Sequence, residues 1–496
     1  MICTRKYLKI CVFDALPVQV GLNDYLSAYG VDPNIKTPAM DKLASQGMVF
    51  TNAYCNGAWC APSRVSLLNG FYPHTTNTYR GQTIRQNPVF REVKNIFQHF
   101  RQHGYQTFGT GKIFHNGHEE DVWTAFGEET DYGPWPVKDG KIIMHPDMPQ
   151  KFRDMVKVSP QFFSTSPIVP SSHIDGWYYS TNPHSIEHAT MFKAANENKI
   201  DLLPDEKSAD FAIDILKRSH TQPFFLAVGL VRPHTPNYVP KKYFDMFPPE
   251  KIMLPEILEN DLDDVVSDLQ YQEGTTAFGR QLSLILEGFG GEIGWRKMMQ
   301  AYLASIAFAD DQIARVMTAL ENSPYANNTI VVLTSDHGYH TGQKNLWFKQ
   351  TLWDRGTRVP YFIHAPGFAP GVCAQPVSLI DIYPTLNDLA GLPVQPNGIH
   401  GPNIEGHSLK PLLLHPDGSW EGPKVALTST TNDALFGINF TVRSENYRYI
   451  LTRSGQEELY DLLQDPNEWS NLADKPEYGN IKQELRNQLT SLVAFQ

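Results

Sequence analysis

The chain has 496 residues, of which 41% are hydrophobic and 12% aromatic, so it can bury a large core and is unlike a disordered chain. Its formal net charge of −11 argues against general nucleic-acid binding, but says little about a small anionic substrate, because local cations decide that. No apolar run approaches the ~20 residues of a membrane-spanning helix, and the five scattered cysteines fit neither a disulfide framework nor a zinc site.

The N-terminal segment shows no secretory leader. The segment 1–9 is short and basic, and the apolar stretch that follows it ends at Asp14. The sequence therefore does not decide the cellular location. We expect a cytoplasmic protein if the chain is complete, and a periplasmic or secreted one if a leader has been removed.

Strand and helix patterns alternate along the first part of the chain. The apolar run 8–13 predicts a buried strand ending at Asp14. Thr37-Pro38 predicts the start of a helix, and Gly47 predicts its end. The further predicted helices are 95–104, 205–219 and 302–321, and the further predicted strands are 49–54, 106–110, 223–229 and 329–334. Such alternation indicates an α/β fold, with a large, mostly parallel sheet and helices on both of its faces.

The pattern changes after position 402. Short alternating segments at 425–430, 440–443 and 447–452 predict strands joined by turns, and 481–494 predicts a closing helix. We therefore expect a main domain over 1–402 and a smaller α+β domain with an antiparallel sheet over 403–496. The stretch 126–200 has weak periodicity and is expected to form surface insertions.

The segment CAPSRVSLLNG, from Cys60 to Gly70, predicts a reactive group presented at the start of a helix. Pro62 suits a first helical turn, because the N–H that it lacks would have no partner there. The free N–H groups of that turn, together with Ser63 and Arg64, favour an anion such as sulfate, phosphate or carboxylate. An isolated cysteine is usually a small buried apolar residue, and this context makes Cys60 a candidate nucleophile instead.

Polar clusters follow four of the predicted strands. They are Asp14 after the first strand, Lys112 and His115 after 106–110, His234 after 223–229, and Asp336 with His337 after 329–334. Ligands of open α/β sheets bind outside the carboxyl ends of the strands, so these separate motifs point to one crevice. Each motif alone could be a turn or a helix cap, and their convergence favours a functional site.

These motifs together resemble the type I sulfatases of the alkaline phosphatase superfamily. The landmarks occur in the family's order: the Asp14 strand end, CAPSR, GKIFH, the Pro-His-Thr-Pro turn, TSDHG, Lys349 and the C-terminal ELYDLLQDPNEWSNLA. Within the family, GKIFH, FFLAVGLVRPHTP and the TSDHG block are most similar to the iduronate-2-sulfatase-like group. One departure is Leu68-Asn69-Gly70, where the family consensus is Leu-Thr-Gly.

The resemblance implies a sulfuric ester hydrolase whose main domain is catalytic. Its nucleophile would be formylglycine, an aldehyde that a modifying enzyme makes from Cys60. One divalent ion, usually Ca²⁺, would be held by Asp14, Asp336, His337 and the modified residue 60. An ordinary cysteine or serine would be trapped after one turnover, because only the aldehyde hydrate has a second hydroxyl with which to expel sulfate.

The resemblance also implies roles for five further side chains. Arg64, Lys112 and Lys349 match positions that offset the charge on the sulfate oxygens. His234, alone or together with Lys349, would protonate the leaving alcohol oxygen. His115 would remove a proton from the second hydroxyl, so that sulfate leaves and the aldehyde returns.

One feature departs from the family's metal site. The family often has a second carboxylate after the first, where this chain has Ala15, which supplies no side-chain ligand. The affinity for calcium could fall, water could fill the gap, or a side chain such as Gln19 or Asn23 could enter it. The sequence leaves these alternatives open.

The substrate is not specified by these motifs. Side chains that suit stacking on sugar rings or pairing with anionic groups are Tyr79, Arg80, His173, Trp177, Tyr178, Trp347 and Trp353. The same residues could equally be ordinary packing residues. We expect a sulfated carbohydrate as substrate, either a glycosaminoglycan fragment or an algal polysaccharide fragment, with no nucleic-acid partner and no membrane span.

Two other functions stay open. A formylglycine-dependent phosphodiesterase or phosphonate monoester hydrolase would use the same fold and motifs on phosphorus esters. A non-catalytic binder of sulfated glycans would explain Ala15, although the cysteine, both lysines and both histidines are retained.

Overall fold

The structure is a computed structural model that covers most of the chain. It describes residues 9–14, 26–30, 34–79, 87–91, 93–115, 117–130, 137–138, 141–142, 202–234, 237, 239–270, 282–283, 286, 290–398, 401–432 and 437–493. The insertion predicted over 126–200 falls largely outside these residues. So do Ala15, Gln19 and Asn23, and the side chain of Asp14.

A mostly parallel sheet of eight strands forms the centre of the fold, in the order β11-β2-β10-β9-β1-β8-β4-β5. These strands are β1 Lys9–Asp14, β2 Met48–Phe50, β4 Gln106–Gly111, β5 Ala125–Phe126, β8 Phe224–Gly229, β9 Thr329–Thr334, β10 Tyr361–His364 and β11 Gly371–Cys373. Only β10 runs against the others in this sheet. The predicted large, mostly parallel sheet is confirmed.

Helices pack on both faces of this sheet. The described residues form the helices α1 Pro38–Gln46, α2 Cys60–Asn69, α3 Pro73–Thr76, α4 Ile96–Gln102, α5 Pro204–Lys217, α6 Lys241–Phe244, α7 Glu292–Glu321, α8 Asp354–Thr357, α9 Ile382–Ala390, α10 Lys410–Leu414 and α11 Gly479–Val493. Alternate residues of β8 belong to two apolar clusters: Leu226 packs with α1, α5 and α7, and Phe225 packs with α2, α4 and α9. This period of two is expected for a strand that is buried on both faces. None of the described helices combines the length and apolar character needed to cross a bilayer.

The start of α1 is where the sequence predicts it, but its cap is different. Thr37 precedes the helix, but its hydroxyl donates to the Asp41 carboxylate and accepts no backbone N–H of the helix. The carboxylate of Asp310 in α7 accepts the N–H groups of Ala39 and Met40, at 3.1 and 2.9 Å. The long helix α7 that supplies this carboxylate begins ten residues before the predicted position 302.

A second, antiparallel sheet follows in the C-terminal part, in the order β13-β14-β15-β16. Its strands are β13 Ala426–Asn432, β14 Gly437–Arg443, β15 Tyr447–Leu451 and β16 Glu457–Asp461, and α11 packs against them. The first three strands and the helix lie where the sequence predicts them, whereas β16 was not predicted. The remaining short strands are β3 Ala53–Tyr54, β6 Val137–Lys138, β7 Lys141–Ile142 and β12 Val377–Ser378.

The C-terminal sheet is joined to the main body by backbone hydrogen bonds. The N–H of Ser429 in β13 donates to Asn56 O at 2.9 Å, and the N–H of Ala58 donates to Ser429 O at 3.0 Å. The C-terminal sheet therefore continues onto the segment that leads into Cys60. The domain boundary between 402 and 403 stays a prediction.

Candidate active site

Cys60 is the first residue of α2 and is fully buried. The turn before it is tight, because a Cβ added to Gly57 would lie 2.8 Å from the Cβ of Pro62. The N–H of Ser63 closes the first helical turn on Trp59 O at 3.0 Å, and the Ser63 hydroxyl donates to the carbonyl oxygen of Asp336. The start of α2 is thus attached to the loop that follows β9.

The far end of α2 accommodates the departure from Leu-Thr-Gly. The Asn69 amide donates to Val65 O within the helix, at 2.9 Å, and its side chain is buried. Gly70 ends the helix in the left-handed region, with φ 76°, and its N–H donates to Ser66 O. Asparagine is therefore compatible with this helix end.

Positive and hydrogen-bonding groups surround the Cys60 side chain. Lys349 Nζ donates to Cys60 Sγ at 2.8 Å, and His337 Nε2 lies 3.4 Å from the same sulfur. His115 also acts on this side chain and favours its anionic form. Burial alone would raise the pKa of the Cys60 thiol, but the positive charge of Lys349, with a contribution from His115, outweighs it and holds the pKa well below its ordinary value. The position therefore favours an anion.

Arg64 makes several contacts within the protein, and its expected role toward a substrate anion stays a prediction. Its Nε pairs with Asp336 Oδ2 at 3.2 Å, and its Nη1 donates to Lys112 O and Ile113 O at 2.6 and 2.9 Å. These bonds connect α2 to the loops after β4 and β9. Arg64 therefore holds the loops of the site in place through contacts within the protein.

Lys112 lies fully buried beside this guanidinium. Burial, and then the positive charge of Arg64, hold the pKa of the Lys112 ammonium well below its ordinary value. Cys60 and Asp336 act in the opposite direction and favour the charged form. An anion bound beside Lys112 would act in the same direction, raising this pKa and favouring the ammonium form.

Three candidate metal ligands converge at the same point. One ligand atom each from Cys60, Asp336 and His337 lies within 4.8 Å of the others. Asp336 Oδ1 is buried and accepts no hydrogen bond from the residues that the structure describes. Since a buried carboxylate oxygen is costly without a partner, a cation suits this position. Asp14, at the end of β1, pairs with Thr334 in β9, two residues before Asp336.

The tautomer of His337 also suits a metal ligand. Its Nδ1 lies 2.8 Å from Gly338 O. A carbonyl oxygen can only accept, so Nδ1 carries the proton and Nε2 presents its lone pair toward residue 60. The carboxylate and imidazole donors therefore fit a divalent ion. The described side chains supply fewer oxygen ligands than calcium usually has.

The two further histidines lie on the same edge of the sheet. His115 follows β4, and His234 follows the neighbouring strand β8 and is buried. The turn that carries His234 is held by Asp205 in α5, whose carboxylate accepts the N–H groups of Val231 and Arg232 at 2.6 and 2.8 Å. Sequence reasoning did not identify this role of Asp205.

The aromatic residues proposed for sugar stacking have different positions. Trp347 and Trp353 are buried, and Trp353 Nε1 donates to Glu458 Oε2 at 3.0 Å. Packing is therefore the explanation that fits these two residues. Tyr79 is partly exposed. Arg80, His173, Trp177 and Tyr178 lie outside the described residues.

The C-terminal sheet holds the segment that carries Lys349. The N–H of Gln350 donates to Ala58 O, and its side-chain amide donates to Thr431 O, both at 3.0 Å. Arg448, a buried residue of β15, donates to Leu352 O at 2.9 Å and pairs with Asp354 at 2.8 Å. No motif in the sequence identifies these contacts, because each joins isolated residues far apart in the chain.

A second carboxylate completes this buried ion cluster. Arg448 Nε lies 2.6 Å from Glu468 Oε1, and the N–H of Asp354 donates to Glu468 Oε2 at 2.8 Å. Removing one partner from a buried ion pair typically costs about 3–5 kcal/mol. The cluster therefore fastens the loop behind Lys349 firmly to the C-terminal sheet.

Comparisons with known proteins agree with this geometry. The sulfatase family profile matches residues 18–392, and the profile of the C-terminal part of N-sulphoglucosamine sulphohydrolase matches residues 342–494. The chain is 34% identical over 471 residues to a sulfatase of Formosa agariphila, covering 91% of this chain and 81% of that protein. It is 28% identical to iduronate 2-sulfatase of Mus musculus, covering 94% and 91% of the two chains.

The fold is also shared with solved structures. A structure described as being in complex with its substrate D-glucosamine-2-N,6-O-disulfate matches with a TM-score of 0.71 at 19% identity, covering 98% of both chains. Phosphonate monoester hydrolase of Agrobacterium radiobacter matches with a TM-score of 0.68 at 21% identity, covering 98% of this chain and 95% of that one. At these identities the likeness concerns the fold alone.

Proposed function

The chain belongs to the sulfatase family and is a sulfuric ester hydrolase, and we propose that it removes sulfate from a sulfated carbohydrate with formylglycine made from Cys60. The observation that carries the proposal is the buried, cationic setting of this side chain at the start of α2. Lys349 Nζ donates to its sulfur at 2.8 Å, so negative charge that develops next to residue 60 is stabilised.

The substrate class rests on the relatives. A protein that shares 28% identity over nearly the whole chain is named iduronate 2-sulfatase, and a structure of the same fold holds a sulfated glucosamine. These names support a sulfated sugar, from a glycosaminoglycan or an algal polysaccharide, as the substrate of this chain.

The side chains around residue 60 support a division of roles. Formylglycine supplies a hydrated aldehyde, with one hydroxyl to attack sulfur and a second to expel sulfate afterwards. Burial lowers the pKa of His115, so its imidazole is neutral at pH 7 and can take the proton of the second hydroxyl. His234 would give a proton to the leaving alcohol oxygen. Lys112 and Lys349 would offset the charge on the sulfate oxygens.

We propose that the site binds one calcium ion through Asp336, His337, Asp14 and the modified residue 60. The orphaned Oδ1 of Asp336 and the lone pair of His337 Nε2 support this assignment. A bound ion would act as a Lewis acid that neutralises charge on the sulfate group.

Chelation is expected to lower both the activity and the thermal stability. An ion that binds the native state adds RT ln(1 + [L]/Kd), which is about 2.7 kcal/mol at a hundredfold excess over Kd. Treatment with EDTA should therefore lower Tm in differential scanning fluorimetry and reduce sulfate release, and Ca²⁺ should restore both better than Mg²⁺, which demands near-ideal octahedral geometry. Asp336→Asn should remove the Ca²⁺-dependent rise in Tm. A Tm that changes neither with the chelator nor with Ca²⁺ would contradict the metal assignment.

The rate of hydrolysis of a panel of sulfate and phosphorus esters tests the proposed function. The panel contains sulfated monosaccharides and oligosaccharides, short alkyl sulfates, phosphodiesters and phosphonate monoesters, and the protein has its Cys60 conversion checked by mass spectrometry. We expect the sulfated sugars to have the highest kcat/KM. Faster turnover of phosphodiesters would favour the phosphonate monoester hydrolase activity, and binding of sulfated glycans without release would favour a non-catalytic binder.

A further inference from the structure

Trp59 stands directly before Cys60 and projects from an otherwise buried segment. Its backbone is extended, with φ −144° and ψ 152°, as the flanking residue before the first turn of α2. Its side chain is partly exposed, whereas those of Ala58, Cys60 and Ala61 are buried. A large apolar ring next to a candidate nucleophile is thus left open to solvent.

The indole lies against His115. The two ring centroids are 5.9 Å apart, with an interplanar angle of 64°. His115 is itself partly exposed and lies close enough to Cys60 to favour its anionic form. The pair therefore connects the solvent to residue 60.

The other described side chains of the site are deeply buried. Their exposed fractions are 0% for Cys60, Lys112, Asp336 and His337, and 1% for Arg64, His234 and Lys349. Among the site residues that the structure describes, exposure is thus confined to Trp59 and His115. Within the described part of the site, this is the side on which the remainder of a substrate can lie when its sulfate group reaches residue 60.

We propose that Trp59 forms a wall of the subsite for the sugar ring that carries the scissile sulfate; this inference rests on the proposed function. The indole offers a rigid apolar surface to the C–H groups of the sugar ring, while the buried cations bind the sulfate. The indole carries no charge, so it contributes to recognition of the ring and not of the sulfate. Trp59 is therefore a specificity-determining residue.

A binding experiment on the full-length Cys60→Ala variant tests this proposal, because it needs no conversion to formylglycine. The affinity for D-glucosamine 6-sulfate and for inorganic sulfate is measured by calorimetry in Ca²⁺-containing buffer, with Trp59 intact, Trp59→Ala and Trp59→Phe. We expect Trp59→Ala to weaken binding of the sugar sulfate about three- to tenfold, and Trp59→Phe to keep most of the affinity. Inorganic sulfate should bind equally to all three.

Two results would overturn the proposal. If Trp59→Ala weakened the binding of both ligands equally, Trp59 would only support His115. If the affinity for the sugar sulfate were unchanged, the indole would make no contact with the sugar. The proposed function fails independently, if converted wild-type protein releases no sulfate from any sulfated sugar while the Cys60→Ala protein still binds the sugar through Trp59.

Discussion

Replacing Cys60 with serine or alanine is expected to lower sulfate release by at least about a thousandfold, the scale seen when a covalent nucleophile is removed. Alanine has no group that can be oxidised to the aldehyde, and a serine that mass spectrometry shows to be unconverted has no second hydroxyl with which to release sulfate. The fold should persist, because both side chains fit the volume of the cysteine and the remaining nine residues of α2 stay buried. Initial rates of sulfate release and thermal unfolding measure the two effects.

Another buried thiol provides the matched control. Cys373 is also free and buried, but its Sγ donates to Pro416 O at the edge strand β11. Cys373→Ser should therefore keep the wild-type rate. In wild-type preparations, the rate should rise in proportion to the fraction of Cys60 converted, as read by mass spectrometry. Retention of more than about a tenth of the activity in Cys60→Ser would contradict the assigned nucleophile.

Replacing Lys349 with alanine is expected to lower kcat by about a hundred- to a thousandfold, as for the loss of one preorganised donor in a catalytic site. Its ammonium lies 2.8 Å from the Cys60 sulfur, where charge develops as the ester breaks. The stability should change little, because the substitution removes one of three cations, with Arg64 and Lys112, that share a buried space. Steady-state kinetics of sulfate release and denaturant unfolding check both expectations.

Lys344 is the comparison for this variant, since it is a second buried lysine on the same loop. Its Nζ pairs with Asp261 Oδ1 at 2.5 Å and donates to Glu468 O, so it belongs to the ion cluster behind the site. Lys344→Met should cost about 3–5 kcal/mol of stability, yet leave kcat of the folded protein nearly unchanged. If the two variants lost stability and activity in the same pattern, Lys349 would be a structural residue and its catalytic role would be wrong.

The local pattern of the chain was sufficient for most of the secondary structure around the site. Strand β9 has the predicted bounds, and β1, β4 and β8 differ from theirs by one residue. Short apolar runs of β-branched residues identify such buried strands, because their composition and their ends are local features. The strand β16 was missed because its sequence EELYD carries three charges and lacks that signal.

The sequence by itself identified the candidate reactive group and the edge of the sheet where it lies. CAPSR specifies a helix start by short-range rules, and polar residues at the ends of parallel strands must converge wherever the strands pair. Both inferences need only the order of residues along the chain.

Only the tertiary structure decided which groups touch one another. It turned Arg64 toward the loops after β4 and β9, set Lys349 against Cys60 across 289 positions of sequence, and fastened the Gln350 side chain to Thr431 in the C-terminal sheet. It also buried Trp353 and left Trp59 partly exposed, although both are tryptophans beside site motifs. The physical reason is that burial and side-chain partners depend on residues that are distant in the sequence, and local patterns carry no record of those contacts.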